Sequence, residues 1–199
     1  TLIPDTTAIR SLNLAKHVNR GSGAALNLQG SQNGALGGVV RGAGGRVKNG
    51  AAALALNGAN TFSGGVGLNA GVLQLGNAQG LGSGQLDVGG NASLDASTAL
   101  VLGNTVGLAA GANLTVLGSN DLTLAGPVFG MGGLIKDGAA RLTLSGANLY
   151  TGGTTINAGT LALGAGGSLA ATGAVTLAGA GAGLDLSASG AGQTIGALN

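Results

Sequence analysis

Aliphatic residues in this chain come in short alternating triplets, such as Leu54-Ala55-Leu56 and Leu122-Thr123-Leu124, and fourteen of them are spread over 199 residues. A period of two places both aliphatics of a triplet on one face of a strand. Between triplets stand Gly, Asn, Ser and Asp, which favour turns. No stretch sustains the 3.6-residue period of an amphipathic helix. The chain therefore reads as many strands of three to five residues joined by tight turns. Strands this short are unstable as isolated hairpins. They must close a sandwich or stack as a solenoid.

Self-comparison narrows the choice. Residues 46–76 (RVKNGAAALALNGANTFSGGVGLNAGVLQLG) align without a gap with residues 134–164 (LIKDGAARLTLSGANLYTGGTTINAGTLALG), with 17 identities in 31 positions at an offset of 88. Aliphatic alternation persists, with Leu54, Leu56, Leu73 and Leu75 against Leu142, Leu144, Leu161 and Leu163. Turn residues persist, with Gly50, Asn60, Gly64, Gly65 and Gly71 against Gly138, Asn148, Gly152, Gly153 and Gly159. An aromatic stays aromatic, Phe62 against Tyr150, and the one shared titratable pair is Lys48/Lys136. Selection of this kind acts on core and corners.

The inward residues are mostly Leu and the corners Gly or Asn, which suits a parallel β-helix better than a sandwich with its β-branched, aromatic and charged strands. If 88 residues make four rungs, each rung has 22 residues and the chain has roughly nine. At about 4.8 Å per rung the stack is on the order of 43 Å long. Leu54, Leu56, Leu68, Leu73 and Leu75 are then expected inside, as are Leu142, Leu144, Ile156, Leu161 and Leu163. Asn60/Asn148 and Asn69/Asn157 are expected at corners, hydrogen-bonding along the axis. The expected organisation is one continuous solenoid: a more basic segment 1–45, a first unit 46–133 and a truncated second unit 134–199.

Composition excludes several other outcomes. Glycine makes up 44 of the residues, as in many disordered chains, but 44% of residues are hydrophobic and mean hydropathy is +0.44, so the chain is expected to fold. The uncharged stretch Leu142 to Leu184 holds eleven glycines. Each would cost roughly 1 kcal/mol in a helix interior, so no membrane span is expected. Thr1 to Arg10 lack a basic and apolar leader pattern, so a mature chain or an internal fragment is expected. Neither end carries a polar cap, so a fragment or a chain with covered ends is expected. Without Cys there is no disulfide, zinc ribbon or thiol nucleophile.

Candidates for chemistry are few: one His, six Asp and no Glu. His17 has only Asp5 near it in sequence, and Asp87, Asp95, Asp121, Asp137 and Asp185 are scattered. A carboxylate pair brought together by stacking stays open as an alternative. Residues Ala180 to Leu186 approach a calcium-binding nonapeptide, but only once, and such sites need tandem copies. No phosphate-loop pattern occurs, and Thr-x-Thr is not repeated. Residues 1–48 carry a net +5 through Arg10, Lys16, Arg20, Arg41, Arg46 and Lys48 against Asp5. This is either a solvated face or a patch for nucleic acid or anionic lipid, and the absence of interleaved aromatics argues against nucleic acid.

The passage from Lys136 to Leu161 resembles the autotransporter-associated β-strand repeat, or passenger-associated transport repeat, of Gram-negative type V secretion. Its pattern is Lys-x-Gly followed by L-T-L-S-G-A-N-x-Y-x-G-G-T-x-I-x-x-G-T-L. The first copy departs from it at Ala55, Asn57, Val66, Gly67 and Val72, and the strong match covers about 62 residues. The resemblance implies a right-handed parallel β-helix outside the cell, cell-surface or secreted, and a C-terminal outer-membrane β-barrel in the same precursor. It also implies a role in passenger folding and export. The expected function is a non-enzymatic stalk and adhesin or virulence scaffold, with no cofactor or metal and with host surface molecules or self-association as partners. The alternatives are a host-factor or polysaccharide-binding module, and the stalk of a protein whose enzymatic domain lies outside this chain.

Overall fold

The computed structural model describes residues 13–14, 18–19, 26–29, 31–190 and 192–199. Among them, 24 short strands pair exclusively in parallel, and each strand inside a sheet pairs with strands one turn before and one turn after it. The result is an all-β solenoid of about eight turns, without helices among the described residues. Among the described residues no helix is long and apolar enough to cross a membrane.

The coil has three faces. Face 1 is a ten-stranded sheet running from Asn13–Leu14 to Ala197–Leu198. Face 2 has seven strands, from Leu26–Leu28 to Leu149–Tyr150. Face 3 holds five strands from Leu100–Leu102 to Gly183–Asp185, preceded on the N-terminal turns by the pair Val18–Asn19 and Val40–Arg41. The chain visits the faces in the order 1, 3, 2.

Alternation does what the sequence predicts. Strands such as Ala53–Leu56, Val72–Leu75 and Arg141–Leu144 bury every second residue. All ten expected inward residues are buried, none more than 5% exposed. They merge into one hydrophobic core running the length of the coil. Each such Leu contributes about 1.5–3 kcal/mol through removal from water.

The turn length corrects one expectation. The register connects Leu54, Leu73, Leu94, Val116 and Lys136 as one inward row of face 1, so four turns take 82 residues, not 88. The remaining six residues carry the chain onto face 3, where Leu142 lies. The 88-residue repeat is therefore four turns plus one face. Lys48 lies on face 2 and Lys136 on face 1. Leu54 and Leu56 lie on face 1, and Leu142 and Leu144 on face 3. The second unit repeats the first unit's local structure one third of the way around the coil. Identical packing demands on the three faces make this possible.

Stacked corners leave little room. Gly71 and Gly159 occupy the same corner in the two units, with φ of 73° and 65°, a left-handed conformation that glycine adopts without strain. A Cβ at either would lie 2.5 Å from a carbonyl oxygen of the previous turn, that of Gly50 or of Gly138. Gly138 itself has φ 68°, and a Cβ there would meet the Leu117 carbonyl oxygen at 1.9 Å, whereas Gly103 faces open space. Gly138→Ala is accordingly expected to destabilise the fold by more than about 1 kcal/mol. Gly103→Ala is expected to stay within about 0.5 kcal/mol of the parent. Urea unfolding followed by circular dichroism checks the pair.

Candidate functional site

The repeat motif buries polar side chains, and its lysines and first asparagines reach an adjoining turn. Lys48 and Lys136 are 3% and 0% exposed, within otherwise aliphatic inward rows. The Lys136 ammonium donates to the carbonyls of Asp137 (2.6 Å) and Gly138 (2.8 Å) at its own corner, and to Ala158 (3.3 Å) one turn later. Lys48 repeats the arrangement on the carbonyls of Gly50 and, at 3.2 Å, Ala70. The aliphatic stem lies with the leucines while the head turns to the corner. Burial lowers the pKa of both lysines, and for Lys136 the charges of Asp137 and Asp121 pull in the opposite direction.

Asn60 and Asn148 are buried staples that bond along the axis. The Val40 N–H donates to Asn60 Oδ1 at 2.8 Å, and Asn60 Nδ2 donates to the Gly80 carbonyl at 2.7 Å, so one side chain joins three turns. Asn148 accepts from the Val128 N–H at 2.9 Å and donates to the carbonyls of Ser168 (2.8 Å) and Gly146 (2.7 Å). Asn69 and Asn157 do sit at an exposed corner and bond down the axis. Asn69 donates to Asn49 at 2.7 Å and Asn157 to Asp137 at 2.9 Å.

The aromatic position differs between copies in a coupled way. The Tyr150 hydroxyl shares a 2.6 Å hydrogen bond with Thr154 Oγ1, both residues being buried. In the first unit the same two positions are Phe62 and Val66, also buried, so the hydroxyls are lost as a pair. Losing only one would leave a buried polar group without its partner. Phe62 instead carries the Arg46 guanidinium 4.4 Å from its ring centroid, and Arg46 also donates to the carbonyls of Gly44 (2.6 Å) and Gly45 (2.9 Å). The second unit has Leu134 at that position. Gly64/Gly152 and Gly65/Gly153 mark the bend that follows the aromatic in each copy.

The basic-segment expectation changes accordingly. Arg46 and Lys48 are interior residues, available neither to solvent nor to a polyanion, while Arg41 is exposed. Arg10, Lys16, Arg20, Asp5 and His17 lie outside the described residues. Asp87, Asp95 and Asp185 stand on faces 2, 1 and 3. Asp95 is buried and accepts from Ser119 Oγ at 2.8 Å. Asp185 is held well below the usual carboxylate range by Ser187 and then by Arg141, whose guanidinium pairs with it at 2.5 Å across two turns of face 3. Among the described residues no group of three or more acidic or His side chains could hold a metal ion. The sequence signal for the staples was present, as Lys48/Lys136 and Asn60/Asn148 are shared by the copies. What it lacked was the partner, a carbonyl about 20 residues away.

The Passenger-associated-transport-repeat family matches residues 47–75 and 134–163, the two segments that carry these staples. The "Adhesin BmaC autotransporter" of Brucella suis biovar 1 (strain 1330) is 40% identical over 116 residues, which is 58% of this chain. The chain spans about 3% of that relative's length. No solved structure matches.

Two measurements test the buried groups. Lys136→Ala removes an ammonium from three carbonyls and empties the stem's volume, with an expected loss of about 2–4 kcal/mol in urea unfolding. Burial pushes the Tyr150 phenol up to about 12, against about 10 in the unfolded chain. Between those values the unfolded state holds fewer protons, so Tyr150 makes stability fall as pH rises, by up to about 1.4 kcal/mol per pH unit. The stability advantage of the parent over Tyr150→Phe is therefore expected to shrink above pH 10. Tyr150 is the chain's only tyrosine and there is no Trp, so phenolate absorbance reports its titration directly.

Proposed function

The chain is a segment of an autotransporter passenger carrying two passenger-associated transport repeats, at the surface of a Gram-negative bacterium or secreted from it, and from that premise we propose that it is the export-coupled folding stalk of a surface adhesin. The observation that carries this reading is the set of buried groups whose partners stand on a neighbouring turn: Lys48 on Ala70, Lys136 on Ala158, Asn60 between Val40 and Gly80, and Asn148 between Val128 and Ser168.

Such groups make addition of a turn cooperative. A turn joining an existing stack finds carbonyls already fixed for its lysine and a ladder edge already formed for its strands. An unstacked turn has an exposed aliphatic row and polar groups without their internal partners. Retreat of a docked turn re-exposes several Leu side chains at about 1.5–3 kcal/mol each. A passenger emerging through the outer-membrane barrel of its own precursor is thereby drawn outward one turn at a time. The role is non-enzymatic: the coil is a scaffold, and adhesion is exercised at its outer surface. A second reading, a ligand-binding module, is favoured by the depression beside Phe129 on face 2.

Leu142→Asp combined with Leu144→Asp places two carboxylates in the core of face 3, where both leucines are fully buried. In the full precursor this double variant is expected to lose surface display and the protease resistance of the displayed passenger. Display and resistance at parental levels would sink the folding-stalk reading.

A further inference from the structure

The chain has three aromatic residues, and two of them, Phe62 and Tyr150, are interior. Phe129 points outward and is 38% exposed, at a place where the core does not require it. On face 2 the register aligns Gly67, Asp87, Gly107 and Phe129 as one outward row, with neighbours about 4.8 Å apart along the axis. The two glycines give this row a floor at backbone level. Three side chains cover the upper one, which is buried: a Cβ on Gly107 would lie 2.9 Å from Gln85 Nε2, 3.1 Å from Asp87 Oδ1 and 3.4 Å from Phe129 Cζ. Ring and carboxylate thus converge on the same floor from adjacent turns.

The carboxylate is held in place. Gln85 Nε2 donates to Asp87 Oδ1, and the Thr105 hydroxyl donates to Gln85 Oε1 at 3.3 Å. Oδ2 stays open to solvent, with no hydrogen bond among the described residues. Between ring and carboxylate lies a depression of about 290 Å³ whose lining also includes Asn69. It is an open depression that combines a largely apolar lining with the Phe129 ring and the polar side chains of Asn69, Gln85 and Asp87.

From this geometry we infer that the depression on face 2 binds a neutral hexose unit of a surface glycan. A pyranose ring has an apolar C–H face to lay on the phenyl ring of Phe129 and vicinal hydroxyls to donate to the Asp87 carboxylate in charge-assisted hydrogen bonds. Gly67 leaves room beside the carboxylate for a flat ring, with nothing closer than 3.7 Å to a Cβ there. The negative charge of Asp87 selects against sialylated and uronic-acid glycans. The inference rests on the ligand-binding reading of the passenger and gives it a site and a ligand class.

The test is titration of the isotope-labelled full chain by NMR with lactose, maltose and cellobiose as neutral probes, and with sialyllactose and choline as charged ones. Saturable shifts at Gly67, Asp87, Gly107 and Phe129 are expected with at least one neutral disaccharide. Phe129→Ala is expected to abolish them, and Asp87→Asn to weaken binding about tenfold or more. Gly67 has ordinary φ and nothing closer than 3.7 Å to a Cβ, so Gly67→Leu fills the floor without disturbing the coil and is expected to block binding. Thr143→Ala on face 3 is expected to leave binding unchanged. Absence of saturable shifts with all three neutral probes overturns the inference, as does binding that survives Phe129→Ala, or binding of choline or sialyllactose in place of the neutral sugars. Display of Phe129→Ala in the precursor is measured in parallel. Display is expected at parental level whatever the binding result, so a failure of sugar binding leaves the stalk reading standing and a failure of export does not count for the site.

Discussion

Every feature of this molecule follows from the hydrogen-bond ladder between successive turns. Parallel pairing fixes neighbouring strands about 4.8 Å apart at every position around the coil, corners included. Bonds such as Leu86 N–H to the Thr105 carbonyl and Val106 N–H to the Pro127 carbonyl, both 3.0 Å, carry the ladder into the bends. At that spacing a corner lies against the backbone of the corner below it. The glycine content that would suggest disorder in another chain is the consequence of this contact. It allows carbonyl oxygens of one turn to approach the Cα of the next, as at Gly71 and Gly159. Few charges are needed, because a thin coil keeps its polar backbone and Thr, Ser and Asn side chains at the surface.

The same ladder sets the terms for polar groups in the interior. A coil this narrow has little space for a polar network, so a buried donor takes its acceptors from its own corner or from an adjacent turn. Lys136 and Asn148 satisfy this with backbone carbonyls, which every turn supplies irrespective of its sequence. That choice keeps the motif portable: it needs a neighbouring turn but not a particular neighbouring side chain. The Tyr150–Thr154 bond is the contrasting case, since each hydroxyl depends on the other and the first unit has neither. The half-buried pair Arg141–Asp185 also spans turns, but water reaches it and it contributes little.

The fold class was legible because alternation over three residues and glycine-rich corners leave few alternatives to a stacked coil. The identity of the inward residues was equally legible from Leu54, Leu56, Leu142 and Leu144. The phase of the repeat was not, since an alternating triplet looks the same on all three faces and no residue names its face. The roles of Lys48 and Lys136 were hidden for a related reason. A lysine beside a turn reads as solvated, and its burial is decided by carbonyls 22 residues away. The row through Asp87 and Phe129 was beyond sequence reading, because successive members are separated by 20 to 22 residues and only the register brings them together.

The one-third-turn offset between the two units has a consequence for how such a coil changes over generations. Gain or loss of an 88-residue unit costs the core nothing in register, because each face accepts the same inward pattern. It does swing everything beyond the joint through one third of a circle about the long axis. A patch such as the Phe129 row would then look out in a different azimuth relative to the turns on the other side of the joint, and three such events would bring it back into line. Lengthening this coil is thus also a way of aiming it.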